Sequence, residues 1–194
     1  MIDNDFLWFK NSLKDENLVK RLKEIKLIVL DIDGSLTDAL VFTLPDGEEI
    51  KGYSVQDGFA ISQIMKNDLL KIALLSGKNG KSVELRAAKL KIPKEFVFLG
   101  VDSNKSEVIR GLQAKLDVKK SEILLFGDDI LDLEAKNEVG MFVCPKNSLF
   151  YVKAYADLLI DKNGGFGALR MLLDLILFVQ GKHFVQSFIE KLVL

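Results

Sequence analysis

The sequence predicts an α/β fold: a doubly wound parallel sheet, Rossmann-like, with helices on both faces. Short, almost continuously apolar runs alternate with amphipathic helical stretches along most of the chain. Strands buried on both faces have this composition, because helices cover both sides of a parallel sheet. With 194 residues, 48% of them apolar and 28% charged, the chain is long enough for one such domain with a sizeable core.

The elements follow from the pattern in chain order. Residues 1–26 form an amphipathic helical extension whose pattern breaks near Asp15. The main domain, residues 27–180, follows, and an amphipathic tail covers residues 181–194. Strands are predicted at 27–30, 71–75, 96–99, 123–126, 141–143 and 158–160. Helices are predicted at 58–66, 81–90, 105–116, 131–137 and 167–179.

One segment interrupts this alternation. Two short β-like runs flank the turn sequence Leu44-Pro45-Asp46-Gly47, so residues 40–53 are predicted to form a β-hairpin inserted after the first strand. The hairpin is too small to act as a separate cap domain. Its apolar residues Leu40, Phe42 and Ile50 favour a role in subunit assembly over a simple surface hairpin.

Composition excludes several classes of function. The 27 basic and 28 acidic side chains nearly cancel, so overall charge predicts binding to neither nucleic acid nor membranes. Cys144 is the only cysteine and is expected in the core; His183 is the only histidine and is expected at the surface. Together they exclude an internal disulfide and a structural zinc site. The acidic N-terminus lacks a signal-peptide pattern and residues 168–179 are too few to span a bilayer, so we expect a cytoplasmic protein.

Polar residues gather where the predicted strands end. Asp31 and Asp33 follow the first strand, Ser76-Gly77-Lys78 follows the second, and residues 127–132, Gly-Asp-Asp-Ile-Leu-Asp, follow a third. Lys105 opens a helix. The carboxyl ends of parallel strands meet at one sheet edge, where such folds place their sites. Each group alone is a weak signal, but their combination at one edge predicts an active site.

A structural role is the alternative for these residues. An acidic turn that caps a helix would explain Asp31 and Asp33, although Thr37 or Asp38 suffices for that and the second acidic cluster is left unexplained. For Asp129 and Asp132, capping and function stay equally open, because helix N-termini attract carboxylates.

This set of residues resembles the signature of the haloacid dehalogenase-like phosphohydrolases, over about residues 27–180. Within that superfamily the chain resembles most the 3-deoxy-D-manno-octulosonate 8-phosphate phosphatase family. The stretches that carry this likeness are residues 31–38, 53–58, 103–105 and 164–170.

The resemblance and the chemistry imply the same roles. Asp31 would attack phosphorus to form an aspartyl-phosphate, and Asp33 would act as general acid and base. Ser76 and Lys105 would hold the phosphoryl oxygens. Mg²⁺ prefers oxygen ligands, which the Asp31 carboxylate, the Asp33 backbone carbonyl and the Asp128 carboxylate would supply. Asp129 and Asp132 would orient a metal-bound water and Lys105, respectively.

The resemblance also implies a phosphorylated sugar acid as substrate and a homotetramer, in which a neighbour's tail helps to close each site. The implied substrate-binding residues are Asp33, Ser54, Val55, Gln56, Asp57, Gly58, Gly77, Lys78, Arg86 and Lys105. The family has basic residues at the positions of Gln56, Ser62 and Lys78, and of these three only Lys78 keeps the charge. A basic residue would be expected at Phe166 and an acidic one at Met171. These departures leave a nonulosonate 9-phosphate open as an alternative substrate.

Two proteins from other classes are the alternatives to a phosphatase. A signalling receiver domain also uses a phosphorylated Asp, Mg²⁺ and a Lys, but its acidic pair precedes that Asp, whereas here the acidic pair comes last. A non-catalytic oligomerisation module could lose its nucleophile without losing its fold, and the presence of Asp31, Asp33, Lys105 and Asp128 argues against such a module.

Overall fold

The computed structural model describes residues 3–193, and within them a six-stranded parallel sheet forms the centre of the molecule. Its strands are β1 (Leu27–Leu30), β4 (Lys71–Leu75), β5 (Val97–Phe98), β6 (Ile123–Phe126), β7 (Met141–Pro145) and β8 (Leu158–Ile160). They lie in the order β5-β4-β1-β6-β7-β8 and pair in parallel. The predicted sheet is confirmed. The strand order reverses beside β1, which is where open α/β sheets bind their ligands.

Helices cover both faces of the sheet. They are α1 (Asn4–Ser12), α2 (Glu16–Glu24), α3 (Val55–Lys66), α4 (Lys81–Lys89), α5 (Lys105–Leu116), α6 (Ile130–Glu134), α7 (Phe150–Lys153), α8 (Ala168–Val179) and α9 (Gln186–Val193). Side chains of β1 alternate between the two faces. Ile28 and Leu30 join the core beneath α2, α3 and α8, whereas Leu27 and Val29 join the core beneath α5. Burial on both faces explains why β1 is apolar throughout.

The N-terminal helices pack onto this core. The chain breaks between α1 and α2 as predicted, because the Asp15 carboxylate accepts a hydrogen bond from the Leu18 N–H and so caps α2. Leu18 and Leu22 are buried in the core that also contains α8. The division into a 1–26 extension, a 27–180 domain and a 181–194 tail stays a prediction, and residues 1, 2 and 194 lie outside the described residues.

The predicted hairpin consists of β2 (Phe42–Thr43) and β3 (Glu49–Ile50), which pair antiparallel in a sheet of their own. Residues 42–50 are all exposed.

The expectation of an exposed His183 is wrong. Its side chain is buried, its Nδ1 accepts a hydrogen bond from the Val185 N–H, and its Nε2 lies 3.1 Å from Asp174 Oδ1. With Nδ1 accepting, Nε2 carries the hydrogen and donates it to the carboxylate. The tail therefore folds back on α8 and covers this ring. Cys144 is buried, as expected.

Within residues 3–193, no helix is long and apolar enough to cross a membrane. The cytoplasmic location stays a prediction.

The loop before α8 packs directly on the loop after β1. A Cβ atom on Gly164 would lie only 2.0 Å from the Gly34 carbonyl oxygen, so only glycine fits. Asn147 joins the two loops, because its Nδ2 donates to the Gly34 carbonyl and its Oδ1 accepts from the Gly164 N–H. The loop that carries the acidic residues is thereby held by backbone and amide contacts.

We predict that Gly164→Ala lowers the free energy of unfolding by about 1–3 kcal/mol, the usual cost of overpacking, and also lowers catalytic activity by displacing residues 34–35. Gly111→Ala is the matched control. Gly111 lies exposed inside α5 with open space around its Cβ position, so alanine there should stabilise by roughly 0.5–1 kcal/mol. Denaturant unfolding measures both; equal stability of the two variants would contradict the proposed packing.

Candidate active site

Three neighbouring strands deliver polar residues to the same sheet edge. Asp31 directly follows β1, Ser76 follows β4, and Asp128 lies two residues after β6. β4 and β6 are the two neighbours of β1, so their carboxyl ends flank the end of β1. Asp31 and Ser76 are buried and Asp128 is half-buried. The structure thus brings these predicted site residues together.

Lys105 lies between two of the carboxylates. Its Nζ is 2.6 Å from Asp31 Oδ1 and 2.7 Å from Asp132 Oδ1, and all three side chains are buried. The other oxygen of Asp132 accepts hydrogen bonds from the backbone N–H groups of Asp128 and Asp129. Both oxygens of Asp132 are therefore occupied in positioning Lys105 and the loop after β6.

Two glycines make room for these side chains. A Cβ on Gly34 would lie 2.0 Å from Asp128 Oδ2, and a Cβ on Gly127 would lie 2.3 Å from Asp132 Cγ. Gly34 also has a φ of 96°, which side-chain-bearing residues rarely adopt. Ser35 donates a hydrogen bond to Asp128 Oδ1, 3.0 Å away. The loops after β1 and β6 therefore need glycine at these two positions to leave room for the carboxylates of Asp128 and Asp132.

The cluster carries more negative than positive charge. Burial and the charge of Asp132 raise the pKa of Asp128 to about 7, and burial raises the pKa of Asp31 well above its usual range. Burial disfavours the charge of Lys105, but Asp31 and Asp132 outweigh it and raise the pKa of Lys105. Its single ammonium group faces three carboxylates whose oxygens lie within 4.8 Å of one another.

A divalent cation fits this donor set. Carboxylates are the ligands that hard cations such as Mg²⁺ prefer, and two positive charges would offset the excess negative charge. Asp132 is already occupied by Lys105 and two backbone N–H groups. Asp31 and Asp128 are therefore the carboxylates that suit a metal. Asp129 is exposed, and its side chain accepts a hydrogen bond from the Ile130 N–H at the start of α6.

Asp33 has a partner that the sequence did not reveal. Lys51 Nζ lies 2.7 Å from Asp33 Oδ1 and donates a hydrogen bond to Oδ2 at 2.8 Å. Lys51 follows the exposed strand β3, where a charged residue is usually solvated, so nothing in the local pattern marks it. Asn147 and Ser35, which hold the Gly34 carbonyl and Asp128, were also missed, because their partners are distant in sequence.

The predicted substrate-binding residues separate into two groups. Gly77 and Lys78 follow Ser76 directly, and the Lys78 N–H donates a hydrogen bond to the Ser76 hydroxyl. Exposed Lys78 lines an open cleft of about 730 Å³, which lies between hairpin residues 47–51 and residues 78–82 at the start of α4. Lys51 lines the same cleft, so the cleft extends to the partner of Asp33.

Residues 54–58 contribute mainly to the capping of helices in this structure. The Ser54 hydroxyl caps α3 by accepting from the Asp57 N–H, and buried Asp57 accepts a hydrogen bond from the Arg170 N–H in the first turn of α8. Val55 and Gln56 are exposed, and Gln56 lines a separate cavity of about 420 Å³ formed with α1, α8 and α9.

Arg86 packs beside the same segment. Its Nη2 donates to the Ser54 carbonyl, and its guanidinium lies over the Tyr53 ring, 5.2 Å from the centroid. A Cβ on Gly58 would lie 2.2 Å from Arg86 Nη2, so Gly58 makes room for the guanidinium.

Comparisons with known proteins agree with this architecture. No family model matches the chain. The chain is similar to the 3-deoxy-D-manno-octulosonate 8-phosphate phosphatase of Escherichia coli K12, with 32% identity over 166 residues that cover 86% of each chain. A relative in Haemophilus influenzae with the same description is 34% identical over 166 residues, covering 86% of this chain and 90% of its own.

Among solved structures, the chain is similar to the 3-deoxy-D-manno-octulosonate 8-phosphate phosphatase of Moraxella catarrhalis, which was crystallised with a magnesium ion, a phosphate ion and a KDO molecule. The TM-score is 0.82 at 31% identity, covering 92% of this chain and 99% of that one. All three likenesses extend over most of the chain rather than over the site alone.

Proposed function

Because the chain belongs to the 3-deoxy-D-manno-octulosonate 8-phosphate phosphatase family of haloacid dehalogenase-like hydrolases, we propose that it releases phosphate from a phosphorylated sugar acid. The first candidate is 3-deoxy-D-manno-octulosonate 8-phosphate. The observation that carries the proposal is the buried Asp31–Lys105–Asp132 arrangement beside Asp128 at the switch point of the sheet.

Asp31 is the proposed nucleophile. Its carboxylate oxygen forms a bond to phosphorus while the bond from phosphorus to the sugar oxygen breaks, and Asp33 donates a proton to the leaving alcohol. A water molecule then attacks the phosphorus of the aspartyl-phosphate and Asp33 takes its proton, while the bond between phosphorus and the Asp31 oxygen breaks and releases phosphate. Lys105 and Ser76 hold the phosphoryl oxygens, Lys105 by charge and Ser76 by its hydroxyl.

Mg²⁺ is the proposed cofactor. The carboxylates of Asp31 and Asp128, with the backbone carbonyl of Asp33, would hold it. When bound, the cation offsets the repulsion between a carboxylate and the phosphate dianion. Two features of this chain support the proposal: the excess of carboxylates over ammonium groups, and the raised pKa of Asp128, about 7.

The sugar acid would enter the cleft between the hairpin and α4. Lys78 and Lys81 are exposed cations on the α4 side of this cleft, and Lys51 lines its hairpin side beside Asp33. Lys78 offers one ammonium rather than the two-pronged guanidinium that best fits a carboxylate. Gln56 lies in the other cavity. These differences from the family pattern favour testing a nonulosonate 9-phosphate as the second candidate.

We predict that the purified protein releases phosphate from sugar acid phosphates in the presence of Mg²⁺. Excess chelator should abolish the release and added Mg²⁺ should restore it, because the three clustered carboxylates repel an anionic substrate without a cation. A malachite-green assay over a panel of sugar phosphates and sugar acid phosphates, including both candidates, measures this. Sustained turnover separates an enzyme from a receiver domain or an inert module. Full activity in excess chelator would refute the metal site.

The substitutions Asp31→Asn and Asp33→Asn should block different steps of the reaction. Asp31→Asn lacks the attacking oxyanion, so no phosphoryl-enzyme should form with any substrate. Asp33→Asn keeps the backbone carbonyl but loses proton transfer, so turnover should fall by about 10²–10⁴-fold while substrate still binds. With 4-nitrophenyl phosphate, whose leaving group needs no proton, Asp33→Asn should recover the first step and accumulate the adduct. Trapping followed by peptide mass analysis locates the phosphate; finding it on Asp33 would reverse the assignment.

We also propose that the hairpin mediates assembly into a homotetramer. Phe42 and Ile50 are directly opposite each other in the β2–β3 pairing, so their exposed side chains share one face of the ribbon. Leu40 is exposed nearby. An isolated two-stranded hairpin is at best marginally stable in water, and a second copy packed on this face would cover its apolar side chains.

Charged replacements on this face should break the assembly. Phe42→Glu with Ile50→Lys should lower the mass measured by light scattering while the circular dichroism spectrum stays native. Thr43→Lys is the control, since Thr43 pairs with Glu49 on the opposite face of the ribbon and should leave the mass unchanged. A wild-type protein that is monomeric at micromolar concentration would refute the assembly proposal.

A further inference from the structure

Lys51 is a buried cation at the end of an exposed ribbon. Residues 42–50 are all exposed, yet the Lys51 side chain immediately after them is only 2% exposed. Burying an ammonium group costs several kcal/mol unless an anion and hydrogen bonds compensate it. The buried ammonium group of Lys51 therefore needs an anionic partner, and that partner is Asp33, the proposed acid–base residue.

The contact is close and involves both oxygens of the carboxylate. Lys51 Nζ lies 2.7 Å from Asp33 Oδ1 and 2.8 Å from Oδ2. Such a contact holds the carboxylate in one rotamer, because any rotation about the side-chain bonds would move an oxygen away from the ammonium. The Asp33 side chain remains 26% exposed, which leaves it accessible to solvent.

We propose that Lys51 is a positioning residue that holds the Asp33 side chain in the orientation in which its protonated form gives a proton to the leaving alcohol and its ionised form takes one from the attacking water. The inference rests on the proposed phosphatase function, in which Asp33 is the general acid and base. Proton transfer requires the acid within hydrogen-bond reach of the reacting oxygen, so a carboxylate that rotates freely would spend most of its time out of reach.

The surroundings of Asp33 support this role. Tyr53, two residues after Lys51, has a buried hydroxyl without a hydrogen-bond partner among residues 3–193. Burial and the charge of Asp33 together raise the pKa of Tyr53 to about 12, while Arg86 opposes the rise. Lys51 and Tyr53 therefore both lie near Asp33, and Lys51 supplies the cation in contact with it.

A direct role in binding phosphate fits Lys51 less well. Lys105 already reaches Asp31, the proposed nucleophile, whereas the ammonium of Lys51 contacts both oxygens of Asp33. A residue that acts through Asp33 should become dispensable once Asp33 itself can no longer transfer protons. That expectation makes the two roles separable by experiment.

The test is a double-mutant cycle with Lys51→Met, Asp33→Asn and the combination, assayed with a primary-alcohol phosphate from the panel. Lys51→Met should lower kcat by about 10–100-fold, as is typical when a partner of an active-site group is lost, with KM changed less than about threefold. In the Asp33→Asn background, Lys51→Met should change kcat less than about twofold. Lys51→Gln keeps a polar side chain at the site and serves in place of Lys51→Met if that variant does not fold.

Lys71→Met is the matched control. It removes a Lys–Asp pair with Asp68 at the opposite, amino-terminal edge of the sheet and should leave kcat unchanged. Independent losses that multiply in the double variant, a rise in KM alone, or wild-type kcat in both Lys51 variants would each overturn the inference. If the wild-type protein releases no phosphate from any ester, the proposed function fails instead. If the wild-type enzyme is active and sensitive to Asp33→Asn, the kinetics of the Lys51 variants alone decide whether Lys51 positions Asp33.

Discussion

Excess negative charge at the carboxyl edge of the sheet is the constraint on which the rest of this structure depends. Asp31, Asp128 and Asp132 converge there, and a single buried ammonium, Lys105, lies among them. Lys105 is the first residue of α5, so the position of that whole helix decides whether the cluster is compensated. The same excess that makes the site costly for the apoprotein suits it to a divalent cation, whose two positive charges would offset three carboxylates and one ammonium.

Close backbone packing is the second requirement, and it follows from the first. Carboxylates can gather only where the loops leave space, and Gly34 and Gly127 provide that space beside Asp128 and Asp132. Gly164 and Asn147 then hold the loop of Gly34 from behind. The glycines therefore help to position the charges. A methyl group at Gly34 or Gly127 would displace a carboxylate, and one at Gly164 would displace the loop of Gly34.

Much of the fold and the core of the site were predictable from local patterns. Apolar runs indicated the strands, and the convergence of parallel strands at one edge indicated that Asp31, Ser76 and Asp128 would be neighbours. Long-range contacts were not predictable in this way. Lys51 lies on a ribbon that otherwise faces solvent, His183 is buried only because the tail folds back on α8, and Asp57 is directed to the start of another helix. Lys51 and Asp57 depend on partners distant in sequence and His183 depends on the direction the chain takes after α8, and periodicity shows neither.

The two ends of a bound sugar phosphate would meet different kinds of structure. The phosphoryl end would lie against strand ends and the buried start of α5, where one misplaced charge is expensive. The sugar end would lie between the hairpin and residues 78–82, which are mostly exposed. On this proposed placement of the sugar, a change at Lys78 would alter which sugar is recognised without disturbing phosphoryl transfer. Lys51 connects the two regions, because it directly follows strand β3 of the hairpin and its ammonium group contacts the carboxylate of Asp33. On the proposed mechanism, a shift of the hairpin would change the position of Asp33 through Lys51, so the sugar end of the site would be coupled to the phosphoryl end.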